Sequence, residues 1–233
     1  SLPPRRRPPP SGRRRPDEYA SRTVFPLYAI LDTALALERG YDPIDLARRF
    51  LDGGARLIQL RAKDAPSAQL LAWADAICGT AAEAGAQVII NDRADVALMC
   101  GAHGVHVGQE DLPPAAVRAA AAGAPLEVGL STHTGAQIAA AAAEPIDYLA
   151  DGPVFGAATK DTGYAAVGLP MVRTAAGRGA GRPVVAIGGI TLATAPSVIE
   201  AGASSVAIIS DLLSTGNPAR RVAEYLEAMG HGP

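Results

Sequence analysis

Acidic residues follow two successive apolar runs in the middle of the sequence. The run "QVII" leads into Asn91 and Asp92, and "GVHVG" is followed by Glu110 and Asp111. If both runs are neighbouring parallel strands, these side chains lie at the same edge of the sheet. Mg²⁺ prefers oxygen ligands and keeps several coordination positions for water and phosphate. We therefore predict that Asp92 and Asp111 bind Mg²⁺; the alternative is that each aspartate only caps the helix after its strand.

A third run, "IQLRAKD", carries polar side chains at every second position. In a strand this alternation places Gln59, Arg61 and Lys63 on one face, and Ile58 and Leu60 on the other. Polar side chains are costly inside a packed sheet unless they reach a ligand or are fully paired. Arginine binds phosphate oxygens as a fork and lysine as a point charge, so the pattern favours a diphosphate clamp. Salt bridges within the fold are the alternative.

Two segments near the C-terminus have the composition of a second anion site. In "AIGGIT" a pair of glycines ends an apolar run, and "AIISD" ends the next run. Glycine lets backbone N–H groups approach an anion closely, and helix N-termini favour negative charge. We predict that Gly189, Ile209 and Ser210 bind a monophosphate. Lys160 adds a cation on the glycine-bearing loop "FGAATKDTGYAAVG", of the kind that closes over ligands; an ordinary solvated lysine is the alternative.

These residues lie in a chain that alternates between short apolar runs and longer Ala- and Leu-rich segments. The predicted strands are 27–31, 56–62, 87–90, 104–108, 127–131, 147–153, 183–189 and 205–210. The predicted helices are 43–52, 66–84, 93–100, 113–122, 134–143, 168–178, 191–201 and 217–229. Such alternation predicts an α/β fold, a single closed (β/α)8 TIM barrel whose C-terminal strand ends line one mouth. An open doubly wound sheet would need a glycine fingerprint after the first strand, and "LDTALALERG" has none.

The first 22 residues differ in composition from the rest of the chain. They hold seven arginines, with Asp17 and Glu18 as the only acidic residues. A stretch this rich in Pro and Arg cannot bury apolar surface, so we predict a disordered tail over 1–22 and a barrel over 23–233. No aromatic residue precedes Tyr19 to stack on bases, so we expect no nucleic-acid partner.

The overall composition is typical of a globular protein. Of the 233 residues, 48% are hydrophobic and 19% are charged. No apolar run reaches the roughly 18 residues of a membrane helix, and we expect no signal peptide and no membrane partner. Cys78 and Cys100 lack metal-ligand spacing, so we expect free buried thiols. We therefore predict a cytoplasmic protein that binds small molecules, with homo-oligomerisation left open.

Several segments together resemble the thiamine-phosphate synthase family. They are "IQLRAKD", "INDRADVALMCGAHGVHVGQEDLP", "VGLSTHT", "GPVFGAATK", "VVAIGGIT" and "ASSVAIIS", and the resemblance extends over 24–229. It implies a transferase that joins 4-amino-2-methyl-5-hydroxymethylpyrimidine diphosphate to 4-methyl-5-(2-phosphoethyl)thiazole. The implied products are thiamine monophosphate and pyrophosphate, formed by a dissociative substitution that Mg²⁺ assists.

The resemblance also implies a role for each matching residue. The implied substrate-binding residues are Gln59, Arg61, Lys63, Asn91, Ser131, Thr159, Lys160, Gly189, Ile209 and Ser210. Among them, the residues implied to be catalytic are Arg61, Lys63, Ser131 and Lys160. Asp92 and Asp111 are the implied Mg²⁺ ligands.

The chain departs from the family pattern at two positions. Ala157 stands where the family has a threonine, so one hydroxyl contact to the ligand is missing. Asp151 stands on a strand, beside the mouth, where the family has a small or apolar residue. An unpaired buried carboxylate at that position would be destabilising.

Two other functions fit the same barrel. Thiazole tautomerases resemble it and use a loop histidine for proton transfer, which would be His133 here, but they have no need of a diphosphate clamp. A regulatory barrel that only binds thiazole phosphate is the other alternative, and it predicts a degraded metal site. The remaining histidine of interest, His106, is expected to line the pocket as a hydrogen-bonded polar residue.

Overall fold

Eight parallel strands pair in chain order, and the last strand pairs with the first to close a barrel. The structure is a computed structural model that describes residues 25–156 and 165–231. The closed barrel with helices between its strands confirms the predicted fold class. The predicted tail, 1–22, lies outside the described residues, as do Ala157, Thr159 and Lys160.

The regular elements alternate along the chain. The strands are β1 (Leu27–Asp32), β2 (Leu57–Arg61), β3 (Gln87–Asn91), β4 (Gly104–Val107), β5 (Glu127–Thr132), β6 (Tyr148–Asp151), β7 (Val184–Ile187) and β8 (Ser205–Ile208). The helices are α1 (Thr33–Glu38), α2 (Pro43–Asp52), α3 (Ser67–Glu83), α4 (Ala94–Met99), α5 (Pro114–Ala121), α6 (Gly135–Ala141), α7 (Gly168–Arg178), α8 (Ala195–Glu200) and α9 (Pro218–Ala228). A 3-10 helix (Ser210–Leu213) follows β8.

All eight strands fall within or next to the predicted runs, but three details of the prediction are wrong. Helix α1 was not predicted; it begins directly after β1 because the Asp32 carboxylate accepts a hydrogen bond from the Leu35 backbone N–H at 3.0 Å. Ser210 begins the 3-10 helix and does not end a strand. Helix α8 begins at Ala195 and not at residue 191 as predicted. Residues 191–194 instead form a turn, which is closed by a 3.0 Å hydrogen bond from the Thr194 backbone N–H to the Thr191 carbonyl.

The strands separate two apolar layers. On β2, Ile58 and Leu60 are fully buried and pack with the helices, as the alternation predicts. The opposite faces of the strands fill the barrel interior with a smaller cluster, whose buried members are Tyr28, Ile30, Ile89, Tyr148, Ala150, Val185 and Ala207. Each strand therefore has one face for packing against helices and one face that leads up to the mouth.

Gly129 makes room for an aromatic ring in the barrel interior. It pairs with Tyr148 across β5 and β6. A Cβ atom at this position would overlap the phenol ring of Tyr148. Because no other residue lacks a Cβ, the glycine lets Tyr148 lie across the interior.

The structure corrects the prediction for the cysteines. Cys78 and Cys100 are free thiols, but both are only half-buried, and their sulfurs lie 3.9 Å apart. Contact with Cys78 lowers the pKa of Cys100 to about 7.

None of the helices in the described ranges is long and apolar enough to cross a membrane.

Asp151 is fully buried at the end of β6. Tyr148 and Ala150 belong to the interior cluster, so alternation directs Asp151 towards the helices together with Leu149. Neither carboxylate oxygen has a hydrogen-bond partner within the described ranges. Burial raises the pKa of Asp151 to about 6. The prediction that Asp151 lies beside the mouth is therefore wrong, because its side chain points away from the interior.

Candidate active site

Two adjoining cavities open at the C-terminal ends of the strands. One has a volume of about 300 Å³ and is lined from β2, β3 and β4; the other, of about 520 Å³, is lined from the loops after β7 and β8. His106, Ser131 and His133 line both cavities. The predicted site residues in the first cavity are Gln59, Arg61, Lys63, Asn91, Asp92, Asp111, Ser131 and Ile209. Those in the second cavity are Ser131, Gly189, Ile209 and Ser210.

The two aspartates face each other in the first cavity, and neither caps a helix. Helix α4 begins after Arg93 and α5 after Pro113, and both helices lack a side-chain cap. The alternative that Asp92 and Asp111 are only N-caps is therefore wrong. Burial and the neighbouring Asp111 carboxylate raise the pKa of Asp92, and Lys63 partly offsets them.

The backbone holds this acidic pair in place. Asp92 has a φ of 62°, and its N–H donates to the His106 carbonyl at 2.8 Å. Left-handed backbone is uncommon for residues other than glycine and persists where the surrounding structure enforces it. Asp111 accepts a 2.7 Å hydrogen bond from Gly108 N–H, which fixes the loop after β4. The carboxylates are thus brought together by loop geometry.

Arg61, at the end of β2, and Lys63, just after it, are each paired with an acid at the end of a neighbouring strand. The Lys63 ammonium lies 3.5 Å from a carboxylate oxygen of Asp92. Nη1 of Arg61 makes an ion pair with Asp32, its register partner at the end of β1. The alternative that these residues form salt bridges within the fold therefore holds for one nitrogen of the Arg61 guanidinium. The other N–H donors of Arg61 bond to no described residue. Sequence reasoning missed Asp32, although Asp32 comes directly after an apolar run, as the acidic residues after the later runs do.

A chain of polar side chains crosses the barrel interior beneath the mouth. Gln59 Nε2 donates to the Tyr28 hydroxyl at 2.8 Å, and the hydroxyls of Tyr28 and Tyr148 lie 3.1 Å apart. His106 bridges the Tyr148 hydroxyl, at 3.1 Å, and Ser131 Oγ, at 2.9 Å. This confirms His106 as a hydrogen-bonded pocket residue. The two tyrosines were missed, since nothing local in the sequence indicates which interior residues meet.

The second cavity is bounded by backbone that only glycine tolerates. Gly188 and Gly189 have φ values of 99° and 64°, and a Cβ on Gly189 would overlap the Phe155 carbonyl. On the facing side, Asp211 is held by Arg221 at 2.8 Å and by the Tyr225 hydroxyl at 2.5 Å. The negative charge of Asp211 is therefore offset by a cation, and exposed backbone at Gly189 faces the same space.

His133 lies where the two cavities meet. Its Nδ1 is 2.6 Å from the Gly152 carbonyl, and its backbone N–H donates to Gln137 Oε1 at 2.7 Å. These bonds fix the ring against the end of β6. A hydrogen bond from Nδ1–H to a carbonyl leaves Nε2 as the nitrogen with a lone pair.

The comparisons with known proteins agree with this geometry. The family model described as thiamine monophosphate synthase matches residues 27–212. A thiamine-phosphate synthase from Koribacter versatilis is 39% identical over 208 residues, covering 87% of this chain and 95% of that protein. One from Gloeobacter violaceus is 40% identical over 209 residues, but the match spans only 60% of that longer protein.

A solved structure gives the same result. The thiamine phosphate pyrophosphorylase from Pyrococcus furiosus superposes with a TM-score of 0.79 and 30% sequence identity, over 88% of this chain and 95% of that one. The family match, the relatives and the shared fold cover the same barrel. The chain belongs to the thiamine monophosphate synthase family, a family of transferases.

Proposed function

We propose that this protein joins 4-amino-2-methyl-5-hydroxymethylpyrimidine diphosphate to 4-methyl-5-(2-phosphoethyl)thiazole, giving thiamine monophosphate and pyrophosphate. One observation carries the proposal: a cavity lined by Arg61, Lys63 and two aspartates adjoins a cavity lined by Gly189, and the two share Ser131. Two differently built anion sites around one mouth suit a reaction of two phosphorylated substrates. We keep the cytoplasm as the proposed compartment, because both cysteines are free thiols.

Asp92 and Asp111 fit a magnesium ion. Their oxygens are the ligand type that Mg²⁺ prefers, and burial together with the neighbouring Asp111 carboxylate raises the pKa of Asp92. Two carboxylates are relieved of such repulsion when they share a divalent cation. Within the described ranges no group of three or more His, Cys, Asp or Glu side chains forms a metal cage. Sites with one or two carboxylates plus substrate phosphate are usual for Mg²⁺, which when bound would neutralise the leaving diphosphate.

The protein's own residues have an electrostatic task in this reaction. The bond between the pyrimidine methylene carbon and the diphosphate oxygen breaks, and its electron pair leaves with pyrophosphate. The thiazole nitrogen then forms a bond to that carbon. Arg61 and Lys63, and Lys160 from the loop, stabilise the charge that develops on the leaving group. No protein nucleophile is needed, so positioning and charge neutralisation account for catalysis.

Water must be kept from the electron-poor pyrimidine carbon. The walls shared by the two cavities include the apolar side chains of Ile187, Ala207 and Ile209. We propose that the rings of both substrates pack against this wall, with the diphosphate towards β2 to β4 and the monophosphate towards Gly189 and Ser210. Apolar surroundings also strengthen the electrostatic contacts at the leaving group.

His133 is the observation that favours a second function, thiazole tautomerisation. It lines both cavities and is oriented by Gly152, as a proton-transferring histidine would be. A tautomerase has no use for the acidic pair or for Arg61 and Lys63, and all four of these residues line the first cavity. We therefore propose the synthase as the function and the tautomerase as its competitor.

The proposed function is tested by product formation. Purified protein receives Mg²⁺ and both substrates, with each component omitted in turn, and thiamine monophosphate and pyrophosphate are quantified. We expect equal amounts of both products only in the complete mixture. Arg61→Ala should reduce the rate by roughly two orders of magnitude, whereas Arg48→Ala, on an exposed helix face, should have no effect. Folded protein that makes neither product but isomerises a thiazole carboxylate phosphate would overturn the synthase in favour of the tautomerase.

A further inference from the structure

The barrel interior contains a continuous path of hydrogen bonds that ends at the mouth. It runs from Gln59 through Tyr28, Tyr148 and His106 to Ser131, with four heavy-atom distances of 2.8, 3.1, 3.1 and 2.9 Å. The first four side chains are at most 8% exposed, so water competes little for their hydrogen bonds. At the end of the path His106 and Ser131 both line the two cavities, and Ser131 is the more exposed of the two.

The direction of the hydrogen bonds follows from the first donor. Gln59 presents its amide nitrogen to Tyr28, so the Tyr28 oxygen accepts. The Tyr28 hydroxyl then donates its proton to the Tyr148 oxygen. If Tyr148 donated to Tyr28 instead, the Tyr28 proton would have no acceptor among the described residues. Leaving a buried donor unsatisfied costs free energy. Nδ1 of His106, 3.1 Å away, can accept the Tyr148 proton, and in that arrangement Nε2–H of His106 donates to Ser131 at 2.9 Å.

We propose that this path acts as a directional relay of hydrogen-bond orientation, which makes Ser131 a donor towards the mouth. Because the Ser131 oxygen accepts from His106, its own proton is directed into the cavities. A preset donor needs no reorganisation when negative charge develops nearby. The relay rests on the proposed function and adds a step to it. In that reaction the Ser131 hydroxyl donates to the departing diphosphate oxygen, and His106, Tyr148 and Tyr28 are positioning residues.

Ring contacts keep the relay rigid. The His106 and Tyr148 rings stack, with 5.6 Å between their centroids and an interplanar angle of 20°. The Tyr28 ring meets the Tyr148 ring edge-on, with 6.2 Å between their centroids and an interplanar angle of 77°. Gly129 leaves the space for the Tyr148 ring. On the mouth side, the Gln109 side chain donates to the Ser131 carbonyl at 2.6 Å and holds the backbone of that residue. The serine is therefore held by both its backbone and its side chain.

The histidine tautomer tests the direction without any substrate. Nitrogen-15 NMR of the full chain distinguishes the two neutral tautomers, and His106→Gln assigns the signal. We expect His106 to carry its proton on Nε2. We also expect Gln59→Glu, which replaces the donor at the start of the path by an acceptor, to shift the proton to Nδ1. A wild-type Nδ1–H tautomer, or no change in Gln59→Glu, would overturn the relay whether or not the protein is a synthase.

Kinetics test the link to Ser131. Tyr148→Phe keeps the ring but removes the hydroxyl in the middle of the path. We expect kcat to fall roughly tenfold, a smaller loss than from deleting an oxyanion donor outright, with KM for both substrates unchanged. In a Ser131→Ala background the same change should have no further effect, because residues that act as a unit are not additive.

The matched control is Tyr41→Phe, which removes a hydroxyl that bonds to the Gly216 carbonyl outside both cavities. It should leave kcat unchanged. If Tyr148→Phe and Ser131→Ala multiply in the double variant, Tyr148 acts only through the general stability of the barrel and the relay is wrong. If the wild-type protein forms no thiamine monophosphate, the proposed function fails, and the tautomer experiment still decides the direction of the path.

Discussion

Asp32 illustrates how one side chain in this protein has two tasks. One of its carboxylate oxygens accepts from Leu35 N–H at the start of α1, and the other pairs with Arg61. The cap fixes the carboxylate, and the carboxylate in turn fixes the guanidinium at the mouth. Its side chain is only 12% exposed, so water screens the pair little. A residue that reads as a routine helix cap therefore orients a predicted catalytic group.

The two tasks can be separated by substitution. Asp32→Asn keeps an oxygen for the cap but removes the charge, so we expect the free energy of unfolding to change by less than about 1 kcal/mol. Because Arg61 loses its fixed orientation, kcat/KM should fall roughly tenfold. Asp32→Ala should show the same kinetic loss with about 1 kcal/mol of additional destabilisation. Equal kcat/KM in wild-type protein and Asp32→Asn would contradict an orienting role.

At the level of single residues, sequence reasoning identified groups that repeat a local pattern. Alternation in "IQLRAKD" predicted the two faces of β2 correctly. Gln59 faces the barrel interior, whereas Ile58 and Leu60 pack against the helices. It missed Tyr28 and Tyr148, whose hydroxyls meet across 120 residues of chain. Such contacts depend on barrel closure and strand register, which no local pattern encodes.

Strand β6 combines opposite environments on its two faces. Tyr148 and Ala150 face the interior, whereas Asp151 is buried towards the helices without a partner in the described ranges. The raised pKa of Asp151 means that the folded protein favours the protonated carboxyl. This strand therefore couples the stability of the barrel to pH.

Ionisation of Asp151 makes the folded chain less stable as pH rises. At low pH the carboxyl is protonated in both folded and unfolded chains; as pH rises past the ordinary value of 3.8, the unfolded chain ionises first, until the folded form ionises near pH 6. This group therefore lowers the free energy of unfolding as pH rises from about 4 to 7, by roughly 3 kcal/mol in all. Asp151→Asn should remove that dependence, as measured by urea unfolding at several pH values. Exposed Asp52→Asn is the control, and parallel curves for wild type and Asp151→Asn would contradict the account.

The pairing of β5 and β6 gives a second prediction. Gly129→Ala places a methyl group into the Tyr148 ring, so we expect a loss of roughly 1–3 kcal/mol from overpacking. Gly79→Ala is the matched control: it lies within α3, nothing lies within 4 Å of the added Cβ, and it should stabilise by roughly 0.5–1 kcal/mol. Thermal unfolding measures both changes. A neutral Gly129→Ala would show that Tyr148 can move without cost.

Elements with a strong local signal were predictable, and short ones were not. Helices α2 and α7 were predicted with the bounds that the structure has, 43–52 and 168–178. Helix α1 is six residues long and follows β1 without an intervening turn, so no break in the sequence marks it. Its start depends on the Asp32 cap, which a pattern of apolar residues does not reveal.

On the scale of the whole molecule, barrel closure brings distant segments to one mouth. The acidic pair, Arg61 and Lys63 come from the first half of the chain, and Gly189 and Ser210 come from the last quarter. Parallel strands that all end at the same face make this convergence a consequence of the fold. The fold class and the convergence of the site were thus predictable from sequence. The proposed contributions of Thr159 and Lys160 stay predictions.

The most direct test of the two-site account is calorimetric binding of pyrophosphate with Mg²⁺, and of thiazole phosphate, to wild-type protein and three variants. We predict that Asp92→Asn loses Mg²⁺-dependent pyrophosphate binding but still binds thiazole phosphate. Gly189→Ala should show the reverse, and Ser210→Ala, a milder change on the same side, should weaken only thiazole phosphate. If each variant weakens both ligands equally, the cavities do not act as separate anion sites and the account is wrong.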